Sequence, residues 1–282
     1  MYLDTEILLT CPICKKQLIK NNSQLNCETG HTFDVARQGY VNLLPAQQKK
    51  SKDPGDSKDM ISARQRFLDD GVYQPVSEKL NEILTGLLVN KYHASILDAG
   101  CGEGYYLNRF IENYKHAYPE SNLSCIGLDI SKPAIISAAK RNKNITWVVG
   151  SNKSPPVTKH SVDIALCMFG FIDLEVMAKV VKPDGYLILV DPGREHLLEL
   201  RNIIYSFIKD KKSKNEFCGF NLISEESAKF NITLQKNQIS DLMIMTPHLY
   251  RASKQGKEKA MNLSDIELTV DVEFRILQPN SV

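Results

Sequence analysis

Four residues near the start of the chain have the types and spacing of a metal site: Cys11, Cys14, Cys27 and His31. Two cysteines separated only by Pro12 and Ile13 can present both thiolates to one tetrahedral ion. Cys27 and His31 follow after a stretch with room for one hairpin. Three sulfurs and one imidazole close the coordination sphere of a structural Zn2+ and leave no open position for catalysis. The segment is too short to bury a core of its own, so metal binding and folding of the module are expected to be one event. The alternative is a redox pair at Cys11 and Cys14. Such pairs sit at a helix start beside a βαβ pattern, whereas this segment is rich in turns.

A second constellation begins at Ile96-Leu97-Asp98-Ala99, which reads as a buried strand ending in an acid. Gly100, Gly102 and Gly104 follow, and glycines let the backbone come close to a ligand. A helix expected from about Tyr106 then points its N-terminus at the same crevice, where ligands bind in open parallel sheets. A glycine-rich turn alone also fits a dinucleotide-binding domain, so the later strand ends matter. Ile126-Gly127-Leu128-Asp129 ends in a second acid, placed to accept hydrogen bonds from both ribose hydroxyls of a bound nucleoside. Val148-Val149-Gly150-Ser151-Asn152 is a third strand end, with polar groups for an adenine. Three such ends in succession point to S-adenosylmethionine as methyl donor, with a domain for NAD or another nucleotide as the alternative. At the fourth end, Phe169 and Phe171 either sandwich a flipped base or belong to the core.

The elements that must position these groups alternate. Strands are expected at 95–99, 125–129, 145–149, 162–168 and 186–191, with helices such as 133–141 and 174–181 between them. Alternation of this kind means right-handed crossovers and a mostly parallel sheet. Helices are also expected at 57–70, 75–90 and 195–209, and 267–277 alternates like an antiparallel edge strand. The organisation expected is a zinc-binding ribbon module over residues 1–45, a linker with a first helix over 46–75, and a Rossmann-like α/β catalytic domain over 76–282. A chain of 282 residues, 43% hydrophobic and 24% charged, is an ordinary globular composition. Its net charge of +2 does not by itself demand a polyanionic partner. No stretch has the length of a membrane span and the first six residues lack a basic region, so a cytoplasmic protein with reduced cysteines is expected. Cys101, Cys125, Cys167 and Cys218 are scattered and read as packing residues.

These residues together resemble the RlmA family of 23S rRNA (guanine-N1)-methyltransferases, and the resemblance runs nearly the length of the chain. Besides the Cys/His module it is carried by Gly39-Tyr40-Val41-Asn42-Leu43-Leu44-Pro45, Asp53-Pro54-Gly55-Asp56-Ser57 and Tyr73-Gln74-Pro75. It continues through the run from Gly100 to Tyr106, Gly127-Leu128-Asp129, Pro192-Gly193 with His196-Leu197, and Met245-Thr246-Pro247. The resemblance implies a class I methyltransferase domain, a zinc ribbon that helps grip an rRNA hairpin, a homodimer framing an RNA-sized cleft, and methyl transfer to N1 of one guanosine. It also implies cofactor contacts at Tyr73, Tyr106, Leu107 and His196. The chain departs from the family pattern at the fourth strand end, where Phe169-Gly170-Phe171 replaces Tyr-Ala-Pro and so lacks a hydroxyl and a rigid proline. It departs again at Pro155-Pro156-Val157, where Leu-Pro-Phe is usual.

Guanine N1 carries a proton at neutral pH, so transfer to N1 wants an acceptor for it. Asp191, near the fifth strand end, is a candidate by position only, and water is the alternative. Arg37 with Lys49, Lys50 and Lys52 is expected to meet RNA phosphates. Two rival functions stand beside this one. A methyltransferase acting on a small metabolite has no need of a zinc module, and an inactive zinc-ribbon RNA-binding protein would show no turnover.

Overall fold

The computed structural model describes residues 9–48, 51, 53–89, 91–208 and 216–280. The expected basic run Lys49, Lys50 and Lys52 lies outside the described residues. The N-terminal module is a three-stranded antiparallel sheet of β1 (Ile19–Asn21), β2 (Gln24–Asn26) and β3 (Thr32–Asp34). The strand that follows, β4 (Tyr40–Asn42), leaves that sheet. It runs parallel to β7 (Thr146–Val149) at one edge of the main sheet, pairing Asn42 with Val149. A second tie holds the module to the large domain: Leu9 bridges Val157, and Thr10 N–H donates to the Pro156 carbonyl at 2.8 Å.

The main sheet has eight strands. Outward from β4 and β7 come β6 (Asn122–Asp129), β5 (His93–Ala99), β8 (Val162–Met168) and β9 (Val181–Pro192), all parallel. Then come β11 (Asp265–Pro279) and β10 (Phe220–Gln235), both antiparallel to their neighbours. The chain winds from β5 through β6 to β7, then returns to the other side of β5 with β8. That reversal makes a crevice beyond the carboxyl end of β5. Strands β5 and β8 are buried almost throughout, as expected of parallel strands covered on both faces. The Rossmann-like class I methyltransferase fold, with its N-terminal zinc-ribbon module, is the architecture observed.

Helices cover both faces, and several start where their capping chemistry dictates. Ser57 caps α1 (Lys58–Asp69), its hydroxyl accepting from Met60 N–H, and Ser131 caps α4 (Lys132–Arg141) in the same way through Ala134 N–H. Pro75 stands in the first turn of α2 (Gln74–Leu88), where a missing N–H costs nothing. Helix α3 (Tyr105–Ala117) follows the glycine-rich turn.

Four expectations need correction. Helix α5 spans only Leu174–Ala178, because Val180-Val181 and then Pro183 favour extended chain and β9 begins at Val181. Strand β9 therefore starts earlier than residue 186, with a register shift between its pairings to Val162 and Ile164. Helix α6 is Leu198–Ile204, shorter at both ends than 195–209. Strand β11 is antiparallel but interior, since β10 pairs along its whole length. The sequence reading missed β10 because its segment is polar and largely exposed; its register comes from β11. Short helices α7 (Lys236–Met245), α8 (His248–Arg251) and α9 (Lys254–Met261) fill the connection between them.

Candidate functional site: a donor crevice and a metal knuckle

The carboxyl ends of β5, β6, β7 and β8 gather most of the groups singled out in the sequence. Asp98 is 1% exposed, and its Oδ1 has no hydrogen-bond partner among the described residues. Burial, and after it the charge of Asp129, push the Asp98 carboxyl up to about 8. A buried acid without a partner is costly, and a cationic or hydrogen-bonding ligand could satisfy it.

The turn after Asp98 is shaped by its glycines. Gly100 has φ +94°, which a side chain rarely adopts, and a Cβ there would lie 3.4 Å from the Asn152 amide nitrogen. Gly104 has φ +82°, and a Cβ there would lie 2.6 Å from the Trp147 ring. Gly102 N–H donates to Asp129 Oδ2 at 3.0 Å, and Ser131 N–H donates to Asp129 Oδ1 at 2.7 Å. Burial raises the Asp129 carboxyl, while these two backbone bonds oppose the rise. Each carboxylate oxygen keeps a lone pair for a ribose hydroxyl. Asn152 Oδ1 is another buried acceptor here without a partner among the described residues.

Residues expected from resemblance alone turn out to touch one another. The Tyr73 hydroxyl lies 3.3 Å from His196 Nε2, and Asp271 N–H donates to His196 Nδ1 at 3.3 Å. The second bond assigns Nδ1 as acceptor, so a neutral His196 carries its proton on Nε2 and donates to Tyr73. The Tyr73 hydroxyl hydrogen is then available to a ligand, and burial holds this phenol far from ionisation. Phe169 joins the group, with ring centroids 6.4 Å from Tyr73, 6.4 Å from Tyr106 and 6.3 Å from His196. It does so at φ +53°, an uncommon conformation for a bulky residue and one that costs of order 1–3 kcal/mol. Leu107 is fully buried on α3 and packs into the core.

The pair Phe169 and Phe171 is separated. Phe171 is 91% exposed, so the two rings do not form a sandwich in this structure. Asp191 is committed elsewhere: Arg275, which also meets Glu225 and Glu273, holds it at 3.3 Å. That ion pair ties β9 to β11.

Sequence reasoning missed Arg64. Its guanidinium holds Asp56 at 2.7 Å and donates to the Met245 carbonyl at 3.1 Å, with one nitrogen 3.4 Å from where a Gly102 Cβ would stand. The signal that placed it was the run from Asp53 to Ser57. Gly55 lies so close to Ser131 that a Cβ would approach within 2.8 Å, and the Ser131 hydroxyl donates to the Asp56 carbonyl at 2.7 Å. The linker thus folds back over the end of β6. Arg141 was missed as well; it pairs with Glu103 of the glycine-rich turn at 2.6 Å and with Asp69 of α1 at 2.9 Å.

At the N-terminal module the four expected ligands converge, with Sγ of Cys11, Cys14 and Cys27 and a nitrogen of His31 all within 4.8 Å of one another. Cys14 Sγ and Cys27 Sγ are 3.6 Å apart, and His31 Nδ1 is 3.6 Å from Cys11 Sγ and 3.4 Å from Cys27 Sγ. A tetrahedron with Zn–S of about 2.3 Å and Zn–N of about 2.0 Å has edges of about 3.5–3.8 Å, so the set fits Zn2+ bound through Nδ1. The Thr29 hydroxyl lies 3.1 Å from both Cys14 and Cys27 sulfurs and supports them as thiolates. Cys125 and Cys167 are buried and their thiols are pushed up to about 12 by desolvation, in line with a packing role.

The orphaned acceptors on Asp98 and Asn152, together with the glycine cradle, fit S-adenosylmethionine. Asp98 can meet its ammonium, Asp129 its ribose and Asn152 its adenine. Comparison with known proteins agrees. A family model described as "RlmA, N-terminal" matches residues 9–52, and one described as "Methyltransferase domain" matches residues 96–185. A Streptomyces fradiae protein named 23S rRNA (guanine(748)-N(1))-methyltransferase is 29% identical over 281 residues, covering 96% of each chain. Two further relatives carry 23S rRNA (guanine-N1)-methyltransferase as a provisional name. The one from Bacillus subtilis (strain 168) is 28% identical over 95% of this chain and 96% of its own. The one from Micromonospora griseorubida is 31% identical over 68% of each.

Proposed function

The chain belongs to the family of 23S rRNA (guanine-N1)-methyltransferases, and on that premise we propose that it methylates N1 of one guanosine in a hairpin of 23S rRNA. One observation carries the reading. Strand β4 comes out of the zinc module and hydrogen-bonds into the main sheet beside β7, at the same end as the donor crevice. The metal knuckle takes no part in holding the donor, yet it is fixed at the same end of the sheet. A small metabolite gains nothing from such a neighbour, whereas a folded RNA reaches both.

S-adenosylmethionine, when bound, supplies an already activated methyl group, so the protein mainly aligns donor and acceptor. Asp98, Asp129 and Asn152 orient the donor, with Tyr73, Tyr106 and His196 forming the wall toward its reactive end and Leu107 backing α3 behind them. Phe169, held against that wall, offers a face on which the target guanine stacks after leaving its helix. Phe171, out in solvent, stacks on a neighbouring base. With Asp191 tied to Arg275, the N1 proton passes to water. Arg37 and the lysines 49, 50 and 52 contact phosphates, and the protein works as a homodimer in the cytoplasm. Among the described residues no helix is long and apolar enough to cross a membrane.

The test is direct. The zinc-loaded protein is incubated with labelled S-adenosylmethionine and 23S rRNA transcribed without modifications. Reverse transcription then maps the product, because a methyl on N1 blocks base pairing. One strong stop at a guanosine is expected. Label appearing only in small molecules from an extract, or in nothing, rejects the reading. Sedimentation of the zinc-loaded protein tests the dimer.

A further inference from the structure

A cleft of about 460 Å3 lies against the zinc knuckle, away from the donor crevice. Ile13, Phe33, Asn42, Pro45, Gln47 and Gln48 form most of its wall. We propose that this cleft holds an unstacked base of the RNA other than the guanine that is methylated. The proposal rests on the reading of the chain as an rRNA methyltransferase and adds a second base-binding site to it.

Position is the first argument. The cleft opens where β4 ends, and Leu43 N–H donates to the Val149 carbonyl at 2.9 Å, which fixes its floor to the end of β7. The donor crevice lies at the same end of the sheet, past β7 and β6 at β5. Three strand spacings separate β4 from β5, about 14 Å across the sheet. That span suits a nucleotide a few positions from the target and is too long for the target itself.

Chemistry is the second. Base capture needs an apolar or aromatic face for the ring and unspent hydrogen-bond groups for its edge. Ile13 is 60% exposed on the knuckle, an apolar side chain that the module leaves in solvent beside Phe33. Asn42 Oδ1 accepts from Leu44 N–H at 3.1 Å, and its NH2 has no partner among the described residues. The side-chain amides of Gln47 and Gln48 likewise have no partner among them. Amides both donate and accept, so the set can read the edge of a neutral base.

Charge is the third. In the sequence Gln48 is followed at once by Lys49-Lys50-Ser51-Lys52, so three lysines come within four residues of the last residue lining a neutral, amide-lined cleft. A nucleic acid presents this pairing of features, with phosphates for the lysines and a base for the cleft.

The test compares the wild-type protein with the variant I13A/Q47A/Q48A, both zinc-loaded, on unmodified 23S rRNA. Zinc content and affinity for S-adenosylhomocysteine report that the variant is folded and are expected to match wild type. RNA affinity is expected to fall roughly tenfold or more, the loss of a stacked base. Its dependence on salt is expected to keep the same slope, because no phosphate contact has been removed. Base-specific chemical probing of the wild-type complex is expected to show one protected base besides the methylated guanine, and the variant is expected to lose that protection alone. If wild type methylates the RNA and the variant binds with wild-type affinity and footprint, the cleft is not an RNA site. If wild type neither binds nor methylates, the rRNA reading itself fails and takes the cleft's occupant with it.

Discussion

The two ends of β5 carry the same chemistry in opposite conditions. At the amino end, Asp163 of β8 is buried and fully partnered: Lys91 at 2.7 Å, Lys182 at 2.8 Å, and Ser95 through both N–H at 2.9 Å and hydroxyl at 2.8 Å. Burial works to raise its carboxyl, but the two lysines and Ser95 overcome it and hold the group well below the usual carboxylate range. At the carboxyl end, about 10 Å further along the strand, Asp98 is just as deep, has one oxygen without a partner among the described residues, and is pushed up to about 8. Protein charges satisfy the first acid and leave the second free to meet a ligand. The difference separates a strut from a site.

The largest expected effect breaks the strut. Asp163→Ala leaves two half-buried lysines facing an empty site, and should cost about 2–3 kcal/mol of folding stability, discounted from the fully buried case because both lysines can turn toward water. Urea denaturation measures it, and donor affinity should stay at its wild-type value. A matching loss of donor affinity would show that the two ends are not independent. Asp98→Asn is the mirror experiment. It should weaken S-adenosylmethionine binding about 30- to 100-fold by calorimetry, through loss of a charge-assisted bond, while the donor-free protein becomes no less stable.

The same contrast has opposite signs against pH. Asp98 keeps its proton longer when folded, so its contribution is complete below its ordinary value of 3.8 and is lost as pH rises toward about 8. Asp163 gives up its proton more readily when folded, so its contribution is present above that ordinary value and is lost as the solution is acidified. Stability curves of the donor-free protein should therefore lose their decline between pH 4 and 8 in Asp98→Asn, and some of their acid sensitivity in Asp163→Ala. The smallest effect belongs to the aromatic wall. Tyr73→Phe removes the hydroxyl that meets His196 and should weaken donor binding by about fivefold, one neutral hydrogen bond. An unchanged affinity would place that hydroxyl outside the donor contact.

Much of the site was legible because its signals are local. Cys11, Cys14, Cys27 and His31 lie in one short segment, and their spacing alone brought four ligand atoms within reach of one ion. The acids at 98 and 129 end apolar runs, and Ser57 and Ser131 cap the helices they precede. The failures lie where a neighbour decides. Strand β10 is polar and takes its register from β11, and β9 starts early because Val181 pairs with Val162. Phe169 and Phe171 look equivalent in the sequence. One backbone residue at positive φ sends the first ring against Tyr73, Tyr106 and His196, and the second is left in solvent.

By itself, then, the sequence determined the metal set, the glycine cradle and the alternation of strand and helix from β5 to β9. These depend on spacings of a few residues and on hydrophobic periodicity, which the chain carries wherever it folds. Only the tertiary structure decided which acid is satisfied and which waits for a ligand. It also brought Arg64 to the glycine-rich turn and Tyr73 to His196 and Phe169, and it joined the zinc module to the main sheet through β4. Those outcomes depend on strand pairing and burial between distant segments, where the energy of a charge is set by what the fold places next to it.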